Sequence, residues 1–223
     1  MYNLIANCSP NVSKQFSNFD EDDIIDTENV LYYKYIKLFY TKSINVINEK
    51  DYQLRVISLL NYPDILQKVK FTDVEILILS SILDFSIEIN YDLLLSKIEN
   101  FLNNNERNFL CSNTSYMAPL LLMRLSKYYG VNNKLDKVEY YCKKGIESFE
   151  LTRNIYLIEY FYYYLALVYH NTNRMKDFEQ SVYQCFNAIY IQRNKDKIRK
   201  FSNLILNDFS IIYEEFMIRY LIK

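Results

Sequence analysis

The chain has 223 residues, 17% of them aromatic, with two glycines, three prolines and no tryptophan. Globular proteins average about 7% Gly and about 5% Pro, and sheet architectures need a turn residue every ten residues or so, so sandwiches, barrels and doubly wound sheets are excluded, as is a glycine-rich phosphate loop. Lys+Arg 26 against Asp+Glu 27 gives a net charge of −1, which argues against broad electrostatic binding to nucleic acid or anionic lipid.

Residues 1–28 read as an irregular acidic leader containing Pro10 and Asp20-Glu21-Asp22-Asp23. Helical signal begins after Asp26-Thr27-Glu28, where Asp or Thr caps and acidic residues suit a first turn. Leu31, Tyr35, Leu38 and Phe39 follow at the spacing of one helix face, predicting a helix to about Lys50. Asn61-Tyr62-Pro63-Asp64 is a break, because proline disfavours helix in the residue before it. Thr72-Asp73-Val74-Glu75 reads as a capping box opening an apolar helix that ends near Glu88 to Asn90. Another helix is expected through Phe101, then a polar loop from Asn103 to Ser115. Short turns at Asn132-Asn133 and Asn171-Thr172-Asn173 separate the remaining helices.

Those last helices repeat. Leu125-Ser126 with Tyr129 matches Leu165-Ala166 with Tyr169 at a step of 40, and Gly145 matches Cys185 at the same step. Small residues in register mark close helix packing, and the period fits a two-helix repeat. Phe85-Ser86 falls one further step earlier, as a candidate third copy whose tail does not align. Tyr162-x-x-Leu165-Ala166-x-x-Tyr169 resembles the first helix of a tetratricopeptide unit, although the period exceeds the usual 34, Phe178 stands where a small residue is typical, and no proline closes the repeat. The expected fold is all-α, a right-handed superhelix of stacked antiparallel helix pairs over residues 29–223.

Catalytic patterns are missing. His170 is the only histidine, so every Cys–His or Ser–His–Asp arrangement would have to use it, and it reads as an exposed or partly packed helix-end residue. Metal clusters need several converging His or Cys; Cys8, Cys111, Cys142 and Cys185 are scattered without a C-x-x-C pair and read as reduced thiols. The expectation is no enzyme, no metal and no cofactor. The apolar run at residues 76–83 is far short of the roughly 20 residues of a spanning helix. The start, Met1-Tyr2-Asn3-Leu4, lacks a basic region and a long apolar stretch. A cytoplasmic protein without a membrane partner is expected.

The segment Phe71-Thr72-Asp73-Val74-Glu75-Ile76-Leu77-Ile78-Leu79 resembles the aromatic-Thr-x-x-Glu-x-x-x-Leu helix of Rgg-type regulators, the group that includes PlcR and PrgX. It is followed, as in that family, by long helices and the repeats around residues 135–145 and 163–169. The resemblance covers roughly residues 30–210. It implies an N-terminal helix-turn-helix and a C-terminal repeat domain that dimerises and binds a short secreted peptide to switch transcription. A complete helix-turn-helix takes on the order of 60 residues ahead of the repeats. Here only the leader precedes them, and Ser13-Lys14-Gln15-Phe16-Ser17-Asn18-Phe19-Asp20 faintly resembles the segment closing the family's DNA-binding unit. Either a truncated member or a sensing domain without a reader fits, and no sequence-specific DNA binding by this chain alone is expected.

Stacked helix pairs curve, and the first helix of each pair lines the concave face. The 40-residue step places Met123, Tyr163 and Asn203 in one row and Lys127, Leu167 and Asn207 in another. Tyr163, Leu167 and Met123 would wall pockets, while Asn203 and Asn207 would clamp a peptide backbone, to which amides both donate and accept. The apolar run at residues 209–218 predicts a homodimer. The alternative function is a stand-alone helical-repeat scaffold for another protein, or a reader-less antagonist of a related regulator.

Overall fold

The computed structural model describes Phe16 and residues 24–85, 91–111, 117–152, 155 and 157–222. Every regular element among them is helical, and no helix is long and apolar enough to cross a membrane. The chain divides into two compact units, Met1–Asn104 and Asn105–Lys223, a division that falls inside the stretch read above as one repeat domain. Apart from Phe16 and residues 24–28, the leader lies outside the described residues, as do most of the residues compared with the helix-turn-helix.

In the first unit, α1 (Thr27–Ser43) starts where expected, because the Asp26 carboxylate accepts from the amides of Glu28 and Asn29. It stops at Ser43, short of Lys50. The Thr41 and Ser43 hydroxyls fold back onto the Leu38 and Tyr40 carbonyls, Asn45 takes a left-handed conformation (φ 58°), and Asn48 caps a separate helix, α2 (Glu49–Leu59). The break at Pro63 is present, followed by a 3₁₀ turn at Asp64–Gln67.

The capping box at α3 (Asp73–Ser81) is complete: Thr72 Oγ1 accepts from the Glu75 amide at 3.2 Å, and the Glu75 carboxylate accepts from the Thr72 amide at 3.0 Å. The helix ends before Glu88, because the Ser80 and Ser81 hydroxyls bond back to Leu77 and Ile78 and the chain tightens into a 3₁₀ turn, Ile82–Asp84. Phe85 is then extended, so it opens no third copy of the helical repeat; Ser86 lies outside the described residues. Residues 76–79 are buried all round, as an apolar helix must be.

The helix expected to stop at Phe101 continues: α4 (Tyr91–Cys111) runs through the asparagines of the predicted loop. Leu94, Ile98 and Leu102 recur at i, i+4, i+8 and are all buried, so the buried face of α4 reaches one residue past Phe101. Residues 112–116 lie outside the described residues.

The second unit holds α5 (Met117–Val131), α6 (Leu135–Thr152), α7 (Ile158–Asn171), α8 (Met175–Ile191), α9 (Lys195–Phe209) and α10 (Tyr213–Ile222). Neighbours pack as pairs, α5 on α6 and α7 on α8, and the first helices α5 and α7 also touch. The 40-residue step is real in the core. Leu121, Phe161 and Phe201 form one buried row, and Leu125, Leu165 and Ile205 form another. Gly145 lies so close to the Phe161 ring that a Cβ there would stand 2.4 Å from it. Its repeat mate Cys185 is buried, with its sulfur 3.4 Å from the Glu159 carbonyl.

Candidate functional site

The first helices α5, α7 and α9 carry a continuous band of side chains. The Tyr164 hydroxyl reaches the Met123 sulfur at 4.0 Å, and the rings of Tyr164 and Tyr160 lie 6.3 Å apart. Lys200 Nζ donates to the Tyr160 hydroxyl at 2.7 Å and so lies at the hydroxyl edge of that ring, 5.0 Å from its centre. Met123, Tyr160 and Tyr164 are half-buried, and Lys200 is exposed.

Residues three, four and seven apart share a helix face. Lys127 therefore shares the Met123 face on α5, Leu167 that of Tyr160 and Tyr164 on α7, and Asn203 and Asn207 that of Lys200 on α9. Lys127, Asn203 and Asn207 are exposed and Leu167 is half-buried.

Tyr163 is placed differently from its expected role as a pocket wall. It is 8% exposed, its hydroxyl donates to the Asp208 carboxylate, and its ring lies 6.0 Å from Phe201 and 6.4 Å from Phe209. Burial raises its pKa, and the Asp208 charge adds to that. Tyr163 joins α7 to α9 from inside, and Tyr160 and Tyr164, half-buried, form the side of α7 that carries the band. The sequence contained a signal for the first of these, because Tyr160 and Lys200 are themselves 40 apart.

Beneath the band sits a polar lock. Glu159 is fully buried and accepts from Lys197 Nζ at 2.6 Å and Gln192 Nε2 at 2.8 Å, while Lys197 also donates to Gln192 at 2.7 Å. A buried charge needs such pairing, and the lock fixes the turn from α8 into α9.

A cavity of about 400 Å³ opens at the other end of α7, lined by His170, Phe178, Glu179, Phe209, Arg219 and Tyr220 among others. The rings of His170, Phe178 and Phe209 meet at 5.0–5.3 Å, so His170 is an exposed helix-end residue packed on one side. In the first unit, Lys34, Lys37 and Arg55 rim a shallower cavity of about 420 Å³ over Leu38 and Leu59. No group of three metal-ligating side chains converges among the described residues.

The chain matches no protein-family model, no curated protein and no solved structure.

Proposed function

We propose that the second unit is a peptide-binding helical-repeat domain, serving as the sensing domain of an Rgg-type regulator. The observation that carries this reading is the band Met123–Tyr164–Tyr160–Lys200. It crosses three successive first helices and ends on the helix face that also carries Asn203 and Asn207. Half-buried aromatic surface gives an extended peptide apolar contact, and the amides satisfy its unpaired backbone groups. The Thr72–Glu75 capping box, followed by long paired helices, supports the family reading. Ile212, just before α10, and Ile218 within it are 45% and 61% exposed and support self-association through this segment.

The test is an array of unstructured eight-residue peptides, with hits titrated against the wild type, Asn207→Ala, Tyr164→Ala and Tyr163→Ala. Asn207→Ala should cost about 1–3 kcal/mol of affinity if its amide is desolvated in the complex. Tyr164→Ala should weaken peptides with bulky side chains most. Tyr163→Ala should lower stability instead. Equal affinities for wild type, Asn207→Ala and Tyr164→Ala would place the peptide elsewhere.

A further inference from the structure

The cavity between α1 and α2 departs from the charge balance of the chain. Lys34, Lys37 and Arg55 rim its 420 Å³ over a floor of Leu38 and Leu59, Thr41 and Ser58 complete the wall, and no carboxylate lies in the lining among the described residues. The chain as a whole has 26 basic residues against 27 acidic ones, so three cations without an acid are a local concentration of charge.

The acidic residues of the two helices are taken up elsewhere. Glu28 accepts from the Val74 amide at 3.2 Å, and Glu49 pairs with Lys42 at 2.7 Å. Asp51 stands four residues before Arg55, a spacing at which helical ion pairs form. It is held in the cap of α2 instead, where Asn48 Nδ2 donates to its carboxylate at 3.0 Å. Arg55 makes no hydrogen bond or ion pair among the described residues, and Lys37 has only the Tyr33 ring, 5.5 Å from its Nζ. Lys34 already has a partner and contributes charge alone. The two hydroxyls differ. Thr41 Oγ1 donates to the Leu38 carbonyl at 2.9 Å and offers the cavity only lone pairs, whereas Ser58 Oγ makes no hydrogen bond among the described residues and keeps its proton available.

We propose that this cavity binds a small phosphate ester. Its phosphate meets the Arg55 guanidinium, the Lys37 ammonium and the Ser58 hydroxyl, and its apolar part lies on Leu38 and Leu59, both half-buried. The donors decide for phosphate over carboxylate. An arginine fork takes two oxygens, and the ammonium and the hydroxyl call for a third. A phosphate monoester presents three acceptor oxygens and a charge of about −1.5 to −2 at neutral pH, whereas a carboxylate has two oxygens and a single charge. The cavity volume is that of a small-molecule site. The site belongs to the first unit and stands independently of the peptide reading of the second.

The experiment titrates the full chain, at neutral pH and fixed ionic strength, with phenyl phosphate, benzenesulfonate and inorganic phosphate, read by amide chemical shifts. Phenyl phosphate should move the resonances of residues 37, 38, 55, 58 and 59. It should bind about tenfold more tightly than benzenesulfonate, which keeps the ring with one charge, and than inorganic phosphate, which lacks the ring. Arg55→Gln should weaken phenyl phosphate about tenfold and Lys37→Gln about threefold; both side chains are exposed, so circular dichroism should stay unchanged. Lys50→Gln, which deletes an exposed cation of α2 outside the cavity, should change the affinity by less than about twofold. Equal losses in Arg55→Gln and Lys50→Gln would reduce the effect to diffuse charge and overturn the site. So would benzenesulfonate or inorganic phosphate binding as tightly as phenyl phosphate. Vesicles containing phosphatidic acid separate a lipid headgroup from a free ester: Arg55-dependent vesicle binding without any shift by phenyl phosphate would overturn the small-molecule assignment.

Discussion

Two glycines occur in the chain, and their surroundings set opposite responses to the same substitution. At Gly145 a methyl group would fall 2.4 Å from the buried Phe161 ring. Alanine is worth about 1 kcal/mol over glycine in a helix interior, but overpacking a closed core costs about 1–3 kcal/mol. Phe161 has no space to retreat into, so the steric term wins. Gly145→Ala should lower stability by up to about 2 kcal/mol. At Gly130 the added atom meets only Val138, at 3.8 Å, and Gly130→Ala should raise stability by about 0.5–1 kcal/mol through helix propensity alone. Urea midpoints of the two variants check both signs, and the same sign for both would mean that the α6–α7 contact is looser than the geometry requires.

Between helices, the turns show which parts of the fold could be read in advance. Asn133 and Asn173, 40 apart, both sit at positive φ (54° and 57°), the conformation asparagine visits most readily after glycine. The same turn recurs before α9 with Arg193 at φ 52°, a residue that gives no turn signal. Arg193→Asn should therefore stabilise the unit by about 0.5–1 kcal/mol, and Asn173→Arg should cost a similar amount; thermal unfolding of both variants tests the pair, and a destabilised Arg193→Asn would show that the arginine side chain matters more than its backbone. Helix starts were legible because Asp26 and Thr72 act locally. Helix ends were less so, since α4 runs on through asparagines whose polarity reads as a loop. The step of 40 puts Met123 and Lys127 on the face of α5, and Asn203 and Asn207 on the face of α9, that carry the band. On α7 it lands on Tyr163, which is buried, while its neighbour Tyr164 is half-buried on the band, because adjacent residues on a helix point about 100° apart. The cavity beside His170 could not be read at all, because it depends on where the chain leaves α9.

Over the whole second unit, stacked pairs touch mainly their neighbours, so stability is a sum of pair and interface terms. Two buried thiols report on different pairs. Cys142 on α6 lies 3.4 Å from Ser126 on α5, and burial pushes its pKa up to about 12; Cys185 on α8 lies against α7, and burial raises its pKa too. Thiolates are the reactive form, so neither should label in the native state, and labelling must follow opening of the pair that holds it. The contact between Gly145 and Phe161 joins α6 to α7, and α7 also packs along α8. Opening one pair therefore strips the other of a main interface. With Cys8 and Cys111 replaced by Ser, Cys142 and Cys185 should label at rates within about threefold of each other, with the same dependence on urea, as expected for one cooperative opening. If Cys142 labels tenfold or more faster with a shallower urea slope, the α5–α6 pair opens alone and the interface across Gly145 is weak. Gly145→Ala offers an internal control. By loosening that interface it should separate the two rates, speeding Cys142 more than Cys185, whereas Gly130→Ala should slow both together.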